Sequence, residues 1–385
     1  MEGMSSFTPW RTRRQALAAL SADISGAFGD LGTLLPYVIG ATALGVLSPQ
    51  PVFIGLAIGY LLVALLYRAP IAVQPMKALG AMILVGGLTA GETALAGATL
   101  GLILLALAAT PYLGRAARAL PQSVTVGLQA GLGLMLIALA FEMMAAGWWL
   151  ALPAVAALGL SWRWPRGPWA LVVVIAAIWL APADALPAAV HSTLVGEGIS
   201  LSSVAGGLLA QLPLTLLNAV VVATAVSRSL FPAAAPRISE RRLAASSGLL
   251  NLVLTPLGAM PMCHGAGGMA AHYRFGARSL IAPLTMAIAC AAAALHGDAV
   301  IGWLAAIPTP VVGALLAFAG LELVLNRRLF DARPDCRPVI AATAVATLFS
   351  GALVGLGVGL ASERLRRHLV RRRAEGMPPD RGRCP

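Results

Sequence analysis

Lys77 is the residue of this chain with the clearest potential for chemistry, because it places a cation inside a hydrophobic run. It is the only lysine among 27 lysine and arginine residues, and it ends the sequence Val73-Gln-Pro-Met-Lys77. A charged side chain inside a membrane-spanning stretch is costly, and such side chains mark ion and substrate pathways. The residue therefore predicts an anion-binding site. The alternatives are that Lys77 reaches the membrane surface or pairs permanently with Asp30 or Glu322.

A second stretch with related features is Gly258-Ala-Met-Pro-Met-Cys-His-Gly-Ala-Gly-Gly268. Both stretches predict a short extended piece that enters the membrane, followed by a half-helix that starts near Pro75 or Pro261. Proline lacks an N–H donor and is favoured at the first helical position. The N-terminal N–H groups of such half-helices favour anions. Two helix ends of about +0.5 each, together with the lysine, suit a small dianion.

Residues of these two stretches, with three more from other segments, form the predicted substrate site. His264 could donate a hydrogen bond to an anion or titrate. Gln211, Thr215 and Asn218 share one helical face, where they could bind an oxyanion or join helices by hydrogen bonds. The predicted substrate-binding residues are Thr33, Gln74, Met76, Lys77, Ala78, Gln211, Asn218, Cys263, His264, Gly265 and Ala266.

Two acidic residues in hydrophobic sequence are candidates for binding a coupled proton. Asp30 lies near the middle of the first hydrophobic segment, where it could pair with the lysine, carry a proton or cap a half-helix. Glu322 lies in a later segment, and coupling and purely structural roles are both open for it. Gly26, Gly29 and Gly32 lie beside Asp30 on one helical face and predict close packing of this segment on a neighbour.

No pattern in the sequence predicts a metal site, a cofactor or an enzyme. The four cysteines form no Cys-x-x-Cys pair, so we expect neither a disulfide framework nor a zinc site. His264 and His272 are eight positions apart with no carboxylate nearby in sequence. The motifs of P-loop ATPases, serine hydrolases and zinc proteases do not occur. We therefore expect no metal, no cofactor and no catalysis.

The composition predicts an all-α polytopic membrane protein. Of 385 residues, 59% are hydrophobic and 11% are charged, and the mean hydropathy is +0.84; soluble domains have about 25% charged residues. Hydrophobic runs of roughly bilayer-spanning length predict fourteen transmembrane segments. They cover residues 22–45, 51–67, 70–88, 92–110, 121–141, 148–162, 168–181, 204–227, 241–257, 259–275, 279–296, 310–326, 338–349 and 351–368.

The distribution of arginine predicts the orientation of these segments. With the N-terminus in the cytoplasm, every arginine falls on the cytoplasmic side, as the positive-inside rule requires. A net charge of +12 could suggest nucleic acid, but the arginines recur between hydrophobic runs and do not form one basic face. We expect both termini in the cytoplasm, a location in the cytoplasmic membrane, and an arginine-rich tail against anionic lipid headgroups.

Landmarks in the sequence recur at a nearly constant distance, which predicts an internal repeat. Pro75-Met76 recurs as Pro261-Met262, and the segment that starts at 92 corresponds to the one at 279. With seven segments in each half, the second half must enter from the opposite face, as in many inverted-repeat transporters. The predicted divisions are a cytoplasmic stretch 1–21, repeats 22–200 and 201–368, and a cytoplasmic tail 369–385.

Four motifs resemble the molybdate transporter family related to the SulP sulfate permeases. They are Ser25-Gly-Ala-Phe-Gly-Asp-Leu-Gly-Thr33, Val73-Gln-Pro-Met-Lys77, Gln211-Leu-Pro-Leu-Thr-Leu-Leu-Asn218 and Met260-Pro-Met-Cys-His-Gly-Ala-Gly-Gly-Met-Ala-Ala-His-Tyr-Arg-Phe-Gly-Ala277. The resemblance implies the seven-plus-seven inverted-repeat fold shared with uracil and xanthine permeases. It also implies that a core domain moves against a gate domain, with the substrate between segments 3 and 10.

On this basis we expect segments 1–4 and 8–11 to form the core and segments 5–7 and 12–14 to form the gate. Sulfate permeases of the wider group usually carry a C-terminal STAS domain. About 17 residues follow segment 14, so we expect no such domain here.

These observations predict a secondary transporter that imports molybdate by alternating access, with proton coupling left open. Sulfate, tungstate or another tetrahedral oxyanion is an alternative substrate, because molybdate and sulfate share charge and shape. An anion channel of the same fold is a second alternative, and a structural or sensing membrane protein is a third. The expected partners are the small oxyanion and the lipid bilayer, without nucleic acid; a homodimer is left open.

Overall fold

The computed structural model of the protein describes residues 9–115, 121–163, 169–180, 198–297, 299, 302–303, 306–325 and 327–375. Within these ranges the chain is mostly helical, as its composition predicts. By length and apolar composition, five helical stretches in the described part are able to cross a membrane. They are Pro49–Tyr67, Ala90–Ala109, Gln122–Ala145, Leu201–Leu230 and Pro334–Val370.

The helices and strands follow the order of the predicted segments. The first half contains α1 (Pro9–Ala27), α2 (Leu31–Ala43), α3 (Pro49–Tyr67), β1 (Gln74–Pro75), α4 (Lys77–Leu84), α5 (Ala90–Ala109), α6 (Gln122–Ala145), α7 (Trp148–Arg163) and α8 (Trp169–Leu180). The second half contains α9 (Leu201–Leu214), α10 (Ala223–Leu230), α11 (Glu240–Leu254), β2 (Met262–Cys263), α12 (Ala266–Arg274), α13 (Ile281–Leu295), α14 (Thr309–Val324), α15 (Arg327–Phe330) and α16 (Arg337–Glu375).

Two predicted segments have irregular helix in the middle of their length. Segment 1 consists of α1 and α2 joined by a 3-10 turn at Phe28–Asp30, and α1 begins at Pro9, before the predicted start at residue 22. Segment 8 consists of α9 and α10 joined by a π-helical stretch at Thr215–Val222. Both irregularities fall at polar residues that were predicted to serve the substrate site or proton binding.

Segments 3 and 10, which contain the two half-helices, meet at their extended pieces. β1 and β2 pair antiparallel, with Gln74 opposite Cys263. The Met76 N–H donates to the Pro261 carbonyl oxygen at 2.8 Å and extends this ribbon by one bond. A half-helix leaves each strand, so the starts of α4 and α12 lie at opposite ends of the ribbon.

The half-helices start near the two prolines but not at them. Pro75 lies within β1, and α4 begins at Lys77; Pro261 precedes β2, and α12 begins at Ala266. In a two-stranded ribbon each strand has an outer edge without a partner strand, where a proline loses no ladder hydrogen bond. The prolines therefore keep the chain extended before each half-helix.

Two of the three glycines in segment 1 permit the predicted close packing. A Cβ at Gly26 would lie 2.2 Å from the Ala277 nitrogen, and one at Gly29 would lie 2.7 Å from the Phe275 ring. A Cβ at Gly32 would have nothing within 4 Å. The prediction is therefore confirmed for the first two positions, where segment 1 crosses the end of α12.

The predicted segments 13 and 14 form α16, which reverses its direction at Gly351. This glycine has φ 82° and ψ 171°, outside the helical region. A Cβ at Gly355 would lie 2.0 Å from Thr347 Oγ1, and one at Gly359 would lie 2.6 Å from Thr343 Oγ1. In a straight helix these pairs would be about 12 and 24 Å apart, so the two arms of α16 fold back on each other.

The helices pack in two sets that also touch each other. In one set α3 packs along α13 and α5 packs along α11; in the other α6 packs along both α14 and α16. Contacts of α2 with α14, α4 with α6, and α9 with α16 link the sets. The half-helix α12 packs on segment 1 and α10, and α4 packs on α2, α9 and α6.

The crossing of α5 and α11 depends on Gly101. A Cβ there would lie 2.5 Å from the Leu252 nitrogen and 2.6 Å from the Gly248 carbonyl oxygen. We expect Gly101→Ala to force the helices apart and to lower the free energy of unfolding by about 1–3 kcal/mol, measured as a lower Tm of the purified protein. Gly91→Ala is the matched control on the same helix, since its Cβ would have nothing within 4 Å. Equal Tm values for the two variants would contradict this crossing.

Candidate functional site

Lys77 is the first residue of α4 and directly follows the paired strands. It is half-buried, between the buried residues Met76 and Ala78. Among the side chains that the structure describes, no carboxylate oxygen lies within 4.0 Å of its amino group. The permanent ion pair with Asp30 is therefore not formed in this conformation. A cation at the positive end of a helix is unfavourable unless an anion is near, so this position suits a bound anion.

Gln211 binds the amide groups at the start of α4. Its Oε1 accepts hydrogen bonds from the Ala78 and Leu79 N–H groups at 2.8 and 3.2 Å. Its Nε2 donates to Thr215 Oγ1 at 2.9 Å. Of the two roles predicted for this glutamine, the structure shows the contact between helices. These two N–H groups are therefore not free for an anion in this conformation.

Asp30 forms a polar cluster with Thr33 and Gln74. Its Oδ1 accepts hydrogen bonds from Gln74 Nε2, at 2.7 Å, and from the Thr33 hydroxyl. Its Oδ2 is buried without a hydrogen-bond partner, and a Cβ at Gly268 would lie 2.5 Å from that oxygen. The structure thus brings three predicted residues together against the first turn of α12, whose positive end favours a carboxylate.

His264 is fully buried, and both of its ring nitrogens are engaged. Nε2 lies 2.8 Å from Ser246 Oγ, and Nδ1 lies 3.0 Å from the Ala72 carbonyl oxygen. A carbonyl oxygen can only accept, so the proton is assigned to Nδ1 and Ser246 donates to Nε2. The Tyr67 ring packs edge-on against the imidazole, and its hydroxyl lies 2.7 Å from Ser246 Oγ. His264 therefore joins α11 to the chain before β1 and has no free nitrogen for an anion in this conformation.

The remaining predicted residues lie near the starts of the half-helices or in other segments. Gly265 lies so close to Gln74 that a Cβ would be 1.6 Å from Oε1. Asn218 is half-buried in the π-helical stretch. Glu322 belongs to α14, and its side chain lies outside the described residues. The other four predicted residues are buried and lie at or near the first residues of the half-helices: Met76, Ala78, Cys263 and Ala266.

The prediction from sequence missed Asn251, which holds β2 in place. Its Nδ2 donates to the carbonyl oxygens of Met262 and Ser247, both at 2.6 Å, and its Oδ1 accepts from the Met262 N–H at 2.9 Å. A lone asparagine in an apolar run was the available signal. The π-helical stretch was also missed, although such stretches frequently lie at functional sites; no pattern in the sequence indicates it.

Comparison with known proteins assigns this chain to a family. The profile of a family described as "Molybdate transporter of MFS superfamily" matches residues 22–136 and 203–323, which include all four predicted motifs. The chain belongs to this molybdate transporter family. The family predicted from the motifs is therefore confirmed.

Named relatives agree with this assignment. "Molybdate transporter 2" and "Molybdate transporter 1" of Arabidopsis thaliana are 28% and 30% identical to this chain over 94% of its length, and over 90% and 92% of their own lengths. "Molybdate transporter 1" of Chlamydomonas reinhardtii is 42% identical over 40% of this chain and 32% of its own length. These relatives are transporters by name, as expected for a protein without catalytic motifs.

Solved structures of two other proteins share the fold. The transmembrane domain of the cyanobacterial bicarbonate transporter BicA has a TM-score of 0.63 at 17% identity, with 88% of this chain and 97% of that chain covered. SLC26A9 has a TM-score of 0.67 at 15% identity, with 94% of this chain and 67% of that chain covered. The predicted polytopic, mostly helical membrane fold is confirmed by these similarities.

The role of Gln211 in this molybdate transporter family member can be tested by removing its amide. Gln211→Leu leaves the Ala78 and Leu79 N–H groups buried without partners, which costs about 1–3 kcal/mol for each group. We expect a clearly lower Tm, measured by thermal unfolding in detergent. Thr215→Val is the matched control, because it removes only the bond to Nε2 and is expected to lower Tm less.

A different result would reassign this residue. If Gln211→Leu keeps the Tm of the unsubstituted protein but abolishes molybdate binding, Gln211 contacts the substrate and does not cap α4.

Proposed function

We propose that this chain imports molybdate across the cytoplasmic membrane, and that the substrate binds beside Lys77 between the starts of α4 and α12. The observation that carries the proposal is a half-buried cation at a helix N-terminus with no carboxylate within 4.0 Å in the described part of the chain. The named relatives support molybdate as the substrate. Sulfate and tungstate have the same charge and shape, so competition must separate them.

The charges around Lys77 suit a dianion under one condition. Asp30 lies within electrostatic range of Lys77, so an ionised Asp30 offsets the charge of the lysine. When Asp30 is protonated, Lys77 and two helix ends of about +0.5 each provide about two positive charges. A dianion therefore fits best when Asp30 carries a proton, and the two binding events favour each other.

The two sets of helices support alternating access. The proposed core consists of α1–α5 and α9–α13, and the proposed gate consists of α6–α8 and α14–α16. Apolar contacts occur between them: a Cβ at Gly40 would lie 3.3 Å from Leu316, and one at Gly206 would lie 3.7 Å from Leu353. Apolar surfaces of this kind slide without breaking hydrogen bonds. Movement of the core would carry the site beside Lys77 from one side of the membrane to the other.

The orientation is proposed from the arginines. With both termini in the cytoplasm, the positive-inside rule is obeyed by the whole chain. Import of a dianion against a negative-inside potential then costs about 2.3 kcal/mol per charge for each 100 mV. Coupled cations would offset this cost, and protons are the cations that a buried carboxyl group can carry.

Uptake into proteoliposomes tests the substrate. We expect uptake of labelled molybdate that tungstate inhibits and uracil does not.

Loss of the Lys77 charge tests the site. Lys77→Gln is expected to weaken molybdate binding by about 2–4 kcal/mol, which is roughly 30- to 900-fold, because a desolvated charge loses its partner. Isothermal titration of the purified protein measures this change.

Lys77→Arg is the control for this test, because it keeps the charge and is expected to retain part of the affinity. An unchanged Kd in folded Lys77→Gln protein would contradict the proposed site and assign Lys77 a structural role.

Asp30 is the proposed proton carrier, and its surroundings explain why. Its buried Oδ2 lacks a partner, and burial without a partner costs more free energy for a charged carboxylate than for a neutral carboxyl group. The charged and titratable neighbours in electrostatic range are Lys77, Tyr60 and Cys263. His272 Nε2 is also buried without a partner, and its ring meets the Tyr60 ring edge-on.

The pH dependence of uptake tests this role. We expect molybdate uptake into vesicles to rise as the external pH falls, because a proton enters with the dianion. Asp30→Asn is expected to flatten that dependence while exchange of bound substrate continues. Asp23→Asn is the control: Asp23 accepts hydrogen bonds from the Arg278 and Ser279 N–H groups at 2.6 and 2.9 Å. It is expected to lower Tm and keep the pH response.

The result that would exclude proton coupling is uptake by the unsubstituted protein that responds neither to an imposed pH gradient nor to a protonophore.

A further inference from the structure

A charged cavity of about 400 Å³ lies at the end of α16, away from the half-helices. It is partly open and is lined by the start of α6, by α15 with the loop after it, and by the last part of α16. Its charged lining residues are Arg328, Asp331, Arg333, Glu363, Arg366 and Arg367. Nothing in the proposed transport cycle uses these residues.

Ion pairs hold one wall of this cavity together. Arg366 donates to Glu363 through Nε at 2.8 Å and Nη2 at 2.6 Å, and Arg367 donates through Nε at 2.8 Å. The Ser123 hydroxyl adds a bond of 2.9 Å from the start of α6. Arg366 Nη1 also lies 2.5 Å from Asp335. Glu363 therefore has its oxygens occupied by its own neighbours.

Arg333 contributes positive charge that this network does not neutralise. It is exposed, and no carboxylate oxygen of the described side chains lies within 4.0 Å of its guanidinium group. The lining as a whole has four arginines and two carboxylates. The first turn of α6 also faces the cavity, and Pro121 at its N-cap provides no side-chain cap. The cavity thus favours an anion over a cation.

Exposed apolar side chains lie on the same two helices, α15 and α16. Phe330 is 63% exposed, Leu365 60% and Leu369 50%, and they lie on α15 and α16 among the arginines. Basic side chains next to exposed apolar ones are typical of a surface at the boundary between a bilayer and water. These two helices therefore carry the mixture of side chains that suits the depth of lipid headgroups.

We propose that this cavity binds a phosphate-bearing anion, with Arg333 as the main contact. The guanidinium group forms strong, paired hydrogen bonds to phosphate oxygens. The phosphate group can belong to the headgroup of an anionic phospholipid or to free phosphate, because both present the same chemical group. A bound phosphate would connect the loop after α15 to α6 and α16. The proposal does not depend on the transported substrate.

Binding is tested without molybdate, on the full chain in phosphatidylcholine nanodiscs. Phosphatidylglycerol is titrated in one arm, and inorganic phosphate in the other, with chloride at matched ionic strength as the screening control. Tm reports binding, since a ligand of the folded state raises it. We expect Arg333→Gln to weaken the apparent affinity at least about tenfold, because the hydrogen bonds from the guanidinium group to the phosphate are lost.

Arg364→Gln is the matched control, because it removes the same charge from an exposed residue of α16 that does not line the cavity. It is expected to keep the affinity of the unsubstituted protein. An effect of phosphatidylglycerol alone assigns the site to a lipid headgroup, and an effect of inorganic phosphate assigns it to the free ion. The proposal is overturned if neither ligand raises Tm beyond chloride, or if Arg333→Gln and Arg364→Gln behave alike.

Discussion

The pairing of β1 with β2 gives hydrogen-bond partners to backbone groups of segments 3 and 10. Without this pairing, the extended parts of these two segments would leave N–H and C=O groups unsatisfied within the membrane. A bilayer has no water to bind free N–H and C=O groups, so irregular backbone at this depth must be bound by protein. Asn251 binds both the N–H and the carbonyl of Met262, and His264 binds the Ala72 carbonyl. The two half-helices can start at this ribbon because its backbone groups have partners there.

The ribbon also sets the electrostatics of the site. It places Lys77 at the positive end of α4 and places Asp30, through Gln74, against the start of α12. Lys77 is half-buried and Asp30 is buried, and the two do not form a direct ion pair. In the proposed cycle an anion would offset the charge of the lysine, and a proton would neutralise the carboxyl group.

Close packing of small residues supports this arrangement. Gly26 and Gly29 let segment 1 approach the end of α12, and Gly101 lets α5 approach α11. These contacts join elements of the two halves, so the first set of helices is built from both. The second set has its own close contacts, between the arms of α16 and at the Glu363 network. The proposed movement of the core against the gate requires such a division.

The sequence by itself determined the class of protein, the approximate position of most helices and the two stretches that interrupt the helical pattern. These follow from hydrophobicity and from the cost of burying charge, which are properties of local sequence. Only the tertiary structure decided that Gln211 caps α4, that His264 has no free nitrogen, and that the prolines lie before the half-helices. The partners in these contacts are as far as 133 and 192 positions apart. No local pattern specifies such pairs, because packing chooses among many side chains able to form the same hydrogen bond.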